Sequence, residues 1–257
     1  MSEKFNSQEQ EDRLREAFNR RATQGPRLAY RHPGVIEKVF SQMNIASAER
    51  SLDIGCGSGW ATRRLAQLAP EGLAVGLDVA NEMVALARRL SVEIENVMFV
   101  AGSAGEIPWQ DDFFTLVVSV DSALFWPDPE ATAREVKRVM APGGRLCILN
   151  SHYGENPLRA HWQAVYEALY PPVHLKSETE WAEVFAAAGF ESVTHQRITD
   201  ETPVEADFEP SDFYPTPEAK LEYRRFGALF ITANKPAAGL SEPGHAAEPS
   251  LRVFKQI

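Results

Sequence analysis

Five short apolar runs, "RSLDI" (50 to 54), "LAVGLD" (73 to 78), "VMFVAG" (97 to 102), "FTLVVSV" (114 to 120) and "RLCILN" (145 to 150), alternate with stretches of helical periodicity. Runs this apolar keep no polar face for water, so they predict strands buried on both sides. Between the first two, Ala61, Leu65 and Leu68 share a helical face, as do Val84, Leu86, Ala87 and Leu90 in the next segment. "PDPEATAREVKRVMAPGG" reads as a complete helix. Asp128 caps it, Pro129 opens it, Val136, Val139 and Met140 face inward, and Pro142, Gly143 and Gly144 stop it. This alternation predicts an α/β, doubly wound, mostly parallel sheet with right-handed crossovers.

After Asn150 the rhythm breaks. Leu158, Trp162, Val165 and Leu169 mark a helix that Pro171 and Pro172 end. Ser177 and Glu180 form a capping-box pattern before Trp181, Val184, Phe185 and Ala188, and Gly189 closes that helix. Two further strands are expected near 191 to 198 and 227 to 233, separated by the Pro- and acid-rich "TPVEADFEPSDFYPTPE". The expected organisation is an N-terminal helical cap over 1 to 44, a main domain over 45 to 234 with an inserted lid at 151 to 176, and a flexible tail over 235 to 257.

Composition excludes several function classes. A formal net charge of −10 argues against nucleic acid, whose non-specific affinity depends on clustered Lys and Arg displacing counterions. Cys56 and Cys147 are the only cysteines, too few for a disulfide framework or a CxxC metal pair, which predicts a reducing, cytoplasmic setting. No run reaches the ~20 apolar residues of a membrane span. His32, His161, His195 and His245 lack ligand spacing, so no metal is expected. A small-molecule partner is favoured, and oligomeric state is left open.

"SLDIGCGSGW" (51 to 60) places glycines at 55, 57 and 59 directly after the first strand. Glycines there allow a tight turn and leave backbone N–H groups facing a ligand. The dinucleotide spacing GxGxxG would need glycine at 60, which is Trp60, so a pyrophosphate cradle is disfavoured. Asp53, inside the strand, can receive an ammonium group, and Asp78, ending the next strand, can accept from two ribose hydroxyls. The combination describes an amino acid joined to a nucleoside.

Four segments in order carry a resemblance. "LDIGCGSG", "VGLDVA", "SAGEIPWQDDFFTLVVSVDSALFWPDP" and "EVKRVMAPGGRLCI" resemble the successive motifs of class I S-adenosylmethionine-dependent methyltransferases, particularly the small-molecule type 11 group. The likeness runs from about residue 48 to 150, and more loosely to 234. It implies a Rossmann-like seven-stranded sheet with an antiparallel last strand, and S-adenosyl-L-methionine as cofactor. By this resemblance Asp53 lies near the methionyl ammonium, with Gly55, Cys56, Gly57 and Gly59 beneath the methionine. Asp78 and Val79 meet the ribose, Ser103 and Ala104 edge the adenine, and the Val120 backbone lies near the methionine end. Many relatives carry an aspartate where this chain has Ser103, so the partner of the adenine amino group is not given.

Methyl transfer needs acceptor, methyl carbon and sulfur in one line, and a hydroxyl or ammonium acceptor also needs a base. The ends of the fourth and fifth strands deliver Asp121, Ser122 and Trp126, then Ser151, His152 and Tyr153. His152 is the candidate base. Trp126, His152 and Tyr153 are the candidate acceptor contacts, and Tyr166 and Tyr170 extend an aromatic lining suited to an apolar or planar acceptor. A non-catalytic cofactor-binding protein and an NAD-dependent oxidoreductase are the alternatives.

Overall fold

Burial sorts the apolar runs as their composition requires. In a computed structural model describing residues 7–23, 33–169 and 173–237, seven strands form one sheet. They are β1 (Arg50–Ile54), β2 (Leu73–Asp78), β3 (Val97–Ala101), β4 (Phe114–Val120), β5 (Met140–Asn150), β6 (Glu191–Ile198) and β7 (Ala228–Asn234), in the order β3-β2-β1-β4-β5-β7-β6. β3, β2, β1, β4 and β5 pair parallel, and β7 runs antiparallel between β5 and β6. The chain winds outward from β1 to β3, then returns to place β4 on the other side of β1. The crevice at this reversal is where open α/β sheets bind ligands.

Helices cover both faces. Ala133, Val136 and Val139 of α5 (Pro129–Val139) and Trp181, Val184 and Phe185 of α7 (Glu178–Ala187) bury against Leu52, Val75, Val117 and Ile148. On the opposite face, Val39 and Phe40 of α2 (Pro33–Gln42) and Ala61 and Leu65 of α3 (Trp60–Leu68) meet Leu116, Val118, Cys147 and Leu149. The caps are those the sequence predicts. Asp128 accepts the Ala131 N–H at 2.9 Å, and Ser177 and Glu180 exchange both capping-box bonds.

Three details differ from the sequence reading. Met140 is buried as an inward residue should be, but it opens β5 rather than closing α5, so the helix stops before Pro142. Leu90 lies beyond α4 (Asn81–Arg89) and is exposed, leaving Met83, Val84, Leu86 and Ala87 as the buried face. The Pro-rich connection after β6 ends in a helix, α8 (Pro217–Phe226), capped by Thr216 with Pro217 at its first position. The expected tail beyond Ala237, together with Tyr170, Pro171, Pro172, His32 and His245, lies outside the described residues.

Candidate functional site

The loop after β1 is built from three left-handed glycines serving three different needs. Gly55, Gly57 and Gly59 have φ of 72°, 52° and 79°. A Cβ at Gly55 would lie 2.3 Å from the Ser122 side chain, and one at Gly59 would lie 2.5 Å from the Phe99 ring. At Gly57 a Cβ would meet nothing within 4 Å. Gly55 and Gly59 are therefore required by packing, whereas Gly57 borders open space. Ser122 ties the two strand ends together by donating to the Ile54 carbonyl at 2.5 Å.

Asp78 holds this loop from β2. Its Oδ2 accepts the Gly57 N–H at 2.8 Å and its Oδ1 accepts the Ala80 N–H at 2.9 Å. Burial raises its pKa, and those two backbone bonds oppose the rise. Asp53 lies beneath the loop, 2 % exposed, with Oδ2 accepting from Thr62 Oγ1 at 2.7 Å. Burial is the main reason its pKa reaches about 7; the Thr62 bond opposes that rise and the Asp78 charge adds to it. Cys56 is buried and its thiol pKa is pushed well up by burial, which suits packing rather than nucleophilic attack. Cys147, pushed to about 12 by burial, is a core residue.

A cavity of about 270 Å³ opens over this crevice. Its floor includes Gly55, Cys56, Gly57, Asp78, Val79, Gly102, Ala104 and Val120. Asp53, Gly59 and Ser103 do not line it; Asp53 is bonded to Thr62 beneath the loop and Ser103 to Glu11. Glu11, Asp78 and Asp121 are the carboxylates lining it among the described residues, and Arg21 is the arginine. A face of α1 (Ser7–Ala22) and Val35 and Ile36 of α2 form part of the wall.

At the β4 and β5 end, Asp121 takes a left-handed φ of 52° and its carboxylate accepts the Ser151 N–H at 2.6 Å and Oγ at 2.9 Å. This bridge aims the loop after β5. His152 enters the cavity, and Tyr153 turns the other way into the core, 0 % exposed, its hydroxyl donating to the Gly227 carbonyl at 3.2 Å. His152 lines the cavity and Tyr153 does not. Tyr153 is thus removed from the acceptor contacts. Trp126 reaches the wall, but its ring packs edge-on against Trp181 and Phe185, both at 6.2 Å, and it is a core residue first.

His152 sits in an aromatic box. Nδ1 lies 2.5 Å from the Tyr166 hydroxyl and Nε2 3.5 Å from that of Tyr214. Trp162 packs on the ring at 4.0 Å, and Phe213 stacks at 5.5 Å with a 10° tilt. Tyr166 comes from α6 (Arg159–Leu169); Phe213 and Tyr214 come from the Pro-rich connection and were not singled out by sequence reasoning. The available signal was an aromatic pair before a proline in an otherwise acidic stretch. Glu11, Phe18 and Phe125 were missed as well, and nothing in the local sequence marks them.

Residues 52–148 match the model of a family described as a methyltransferase domain. A demethylmenaquinone methyltransferase of Staphylococcus saprophyticus is 25% identical over 184 residues, covering 63% of this chain and 79% of that protein. The uncharacterized methyltransferase YcgJ of Bacillus subtilis is 31% identical over 165 residues, and the match spans 64% of its length, just under two thirds, and 59% of this chain. Among solved structures, a chain from the complex between the Haloferax volcanii Trm112 methyltransferase activator and a methyltransferase superposes with TM-score 0.78 and 28% identity, covering 89% of this chain and all of that one.

Proposed function

We propose that this chain is a class I S-adenosylmethionine-dependent methyltransferase, a reading supported by the methyltransferase-domain match at residues 52–148 and by the relatives above, and that it methylates a small, largely apolar or planar acceptor held among Phe125, Tyr166, Phe213 and Tyr214. The observation carrying this reading is one continuous cavity that runs from Gly57 and Asp78 to His152 and its tyrosines. One end fits the cofactor. Gly57 leaves space where any other residue would place a Cβ, and Asp78 is a buried carboxylate whose oxygens each retain acceptor capacity beyond one backbone bond. Gly55, Cys56 and Gly57 would underlie the methionine part, Asp78 and Val79 the ribose, and Gly102 and Ala104 the adenine. Asp53 and Gly59 would act through the loop they hold rather than by contact.

The bound cofactor supplies a methyl carbon on a sulfonium, open to direct displacement. The protein's task is alignment and water exclusion. The aromatic wall excludes water and orients a flat acceptor, while α1 and α6 cover it as a lid. His152 acts as the base for a hydroxyl or ammonium acceptor. Both of its nitrogens face tyrosine hydroxyls, so the acceptor proton reaches it through Tyr166 or Tyr214 rather than directly.

Calorimetry with S-adenosylhomocysteine and with NAD tests the cofactor half, and release of S-adenosylhomocysteine across acceptor libraries tests the catalytic half. Binding of the first ligand alone, with turnover on a planar apolar acceptor, is expected. NAD binding without S-adenosylhomocysteine binding would overturn the reading.

A further inference from the structure

The loop after β3 lines the cavity with Gly102 and Ala104, and its carboxylates, Glu106 included, are not among the described lining residues. A distant segment brings one there. On α1, Glu11, Leu14, Phe18 and Arg21 follow at spacings of three and four, so they share one helical face, and all four line the cavity. The helix is held against the end of β2, the first turn of α4 and the segment after β4 by several contacts. Arg15 Nε donates to the Val79 carbonyl at 3.2 Å, the Asn19 side chain accepts the Glu82 N–H at 3.0 Å, and Phe18 packs edge-on to Phe125 at 5.4 Å.

Ser103 Oγ accepts the Gly105 N–H at 3.1 Å, so its single proton is left for another partner, and it donates that proton to Glu11 Oε2. Glu11 Oε1 accepts from Arg15 at 3.1 Å. Each carboxylate oxygen has two acceptor sites, so both retain capacity after these bonds. The family resemblance assigns the parts of the ligand along the sheet. Along β1, β2 and β3 lie the glycine loop, Asp78 and the Gly102–Ala104 segment, which by that resemblance would meet methionine, ribose and adenine in turn. Asp121 stands on the far side of β1 and Asp78 is at the ribose, leaving Glu11 as the carboxylate at the base end among the described residues.

We propose that Glu11 is a cofactor-binding residue that accepts the exocyclic amino group of the adenine, with Ser103 and Arg15 as the residues that position it. This rests on the S-adenosylmethionine reading above and adds to it a base-reading contact supplied by α1. Ser103 is then no loss of function. Its hydroxyl serves as the rest for a carboxylate from 92 residues away.

The test compares S-adenosylhomocysteine with S-inosylhomocysteine, in which a carbonyl replaces the amino group, by calorimetry on the full chain. A carboxylate that accepts from the amine repels the carbonyl. The unsubstituted protein should prefer the adenine ligand at least tenfold, about the worth of one hydrogen bond to a charged group. In Glu11→Gln the amide can donate to the carbonyl, so adenine affinity should fall roughly tenfold while inosine affinity holds or rises. Asp78→Asn should weaken both ligands by the same factor. Ser103→Ala, which frees Glu11 from its rest, should narrow the preference without reversing it. Equal weakening of both ligands in Glu11→Gln would reduce Glu11 to a docking contact of α1 and overturn the proposal. So would an unsubstituted protein that does not distinguish the two. Binding of neither ligand by the unsubstituted protein would instead bring down the S-adenosylmethionine reading itself.

Discussion

Substituting alanine at each of the three loop glycines in turn should separate ligand space from packing space. All three positions have positive φ, which costs a non-glycine residue roughly 1 to 2 kcal/mol. At Gly57 that is the whole cost, since the new methyl meets nothing within 4 Å. For a domain of this size it should lower the melting temperature by about 2 to 8 °C. At Gly59 the methyl would lie 2.5 Å from Phe99 and 3.0 Å from Ala87, both buried in a packed cluster. Overpacking adds roughly 1 to 3 kcal/mol, so Gly59→Ala should lose about 2 to 5 kcal/mol. Gly55→Ala, pressed against Ser122, should behave like Gly59→Ala. Binding should follow the opposite order. Gly57→Ala places a methyl in the cofactor's space and should reduce S-adenosylhomocysteine affinity more than tenfold in a protein that melts almost normally, and Gly57→Val should abolish it. Thermal melts and calorimetry on the three variants check both orders. Full affinity in Gly57→Ala, or a Gly59→Ala protein as stable as Gly57→Ala, would refute the division of roles.

Other perturbations have equally definite outcomes. Asp53 keeps its proton to about pH 7 in the folded chain, whereas its ordinary value is 3.8. Between those values the folded state binds the extra proton, so its contribution to stability, complete below about pH 4, is lost as pH rises through 7, by up to about 1.4 kcal/mol per unit. Asp53→Asn should flatten that slope, and melting curves parallel to those of the unsubstituted protein from pH 4 to 7 would contradict it. Tyr214→Phe and Tyr166→Phe keep the aromatic wall and remove the hydroxyls beside His152. Once an acceptor with a removable proton is found, at least one of them should lower kcat by roughly 10² or more while leaving S-adenosylhomocysteine affinity unchanged. Unaltered kcat in both would remove the relay. Trp126→Ala should cost about 3 to 5 kcal/mol, because its ring is wedged against Trp181 and Phe185, and a melt within a few degrees of normal would show the packing to be slack.

What the sequence discloses about this site depends on how far its causes lie along the chain. The strands, the capped helices at Asp128 and Ser177, and the glycine loop with Asp78 are local: each follows from residues within one turn or one strand-helix unit. Helix α8 was hidden because its cap, Thr216, and its Pro217 sit in a Pro-rich stretch that reads as loop. His152 and Tyr153 are neighbours that nothing local distinguishes as cavity residues; the Asp121 bridge to Ser151 and the Tyr153 bond to the Gly227 carbonyl fix this loop from distant segments. That bridge joins two strand ends 30 residues apart. Leu90 illustrates the same limit at smaller scale. Periodicity continued through it, but the helix had already ended.

The division between legible and hidden parts coincides with a division of labour in the cavity. The end proposed for the cofactor is written mostly in one contiguous unit from β1 to β3, where the spacing between glycines and Asp78 is set by backbone geometry. The proposed acceptor end is assembled from α1, the segment after β4, α6, the loop after β5 and the connection before α8, five segments that share no local pattern. Each can change sequence without disturbing the sheet, because none of them supplies a strand. Phe213 and Tyr214, which close over His152 from a stretch with no regular structure, are therefore where a change of acceptor would cost the fold least. Glu11 belongs to the same class of distant contributors, yet it reaches the end of the cavity built from β1 to β3. The same helix that brings Glu11 to Ser103 also packs Phe18 against Phe125.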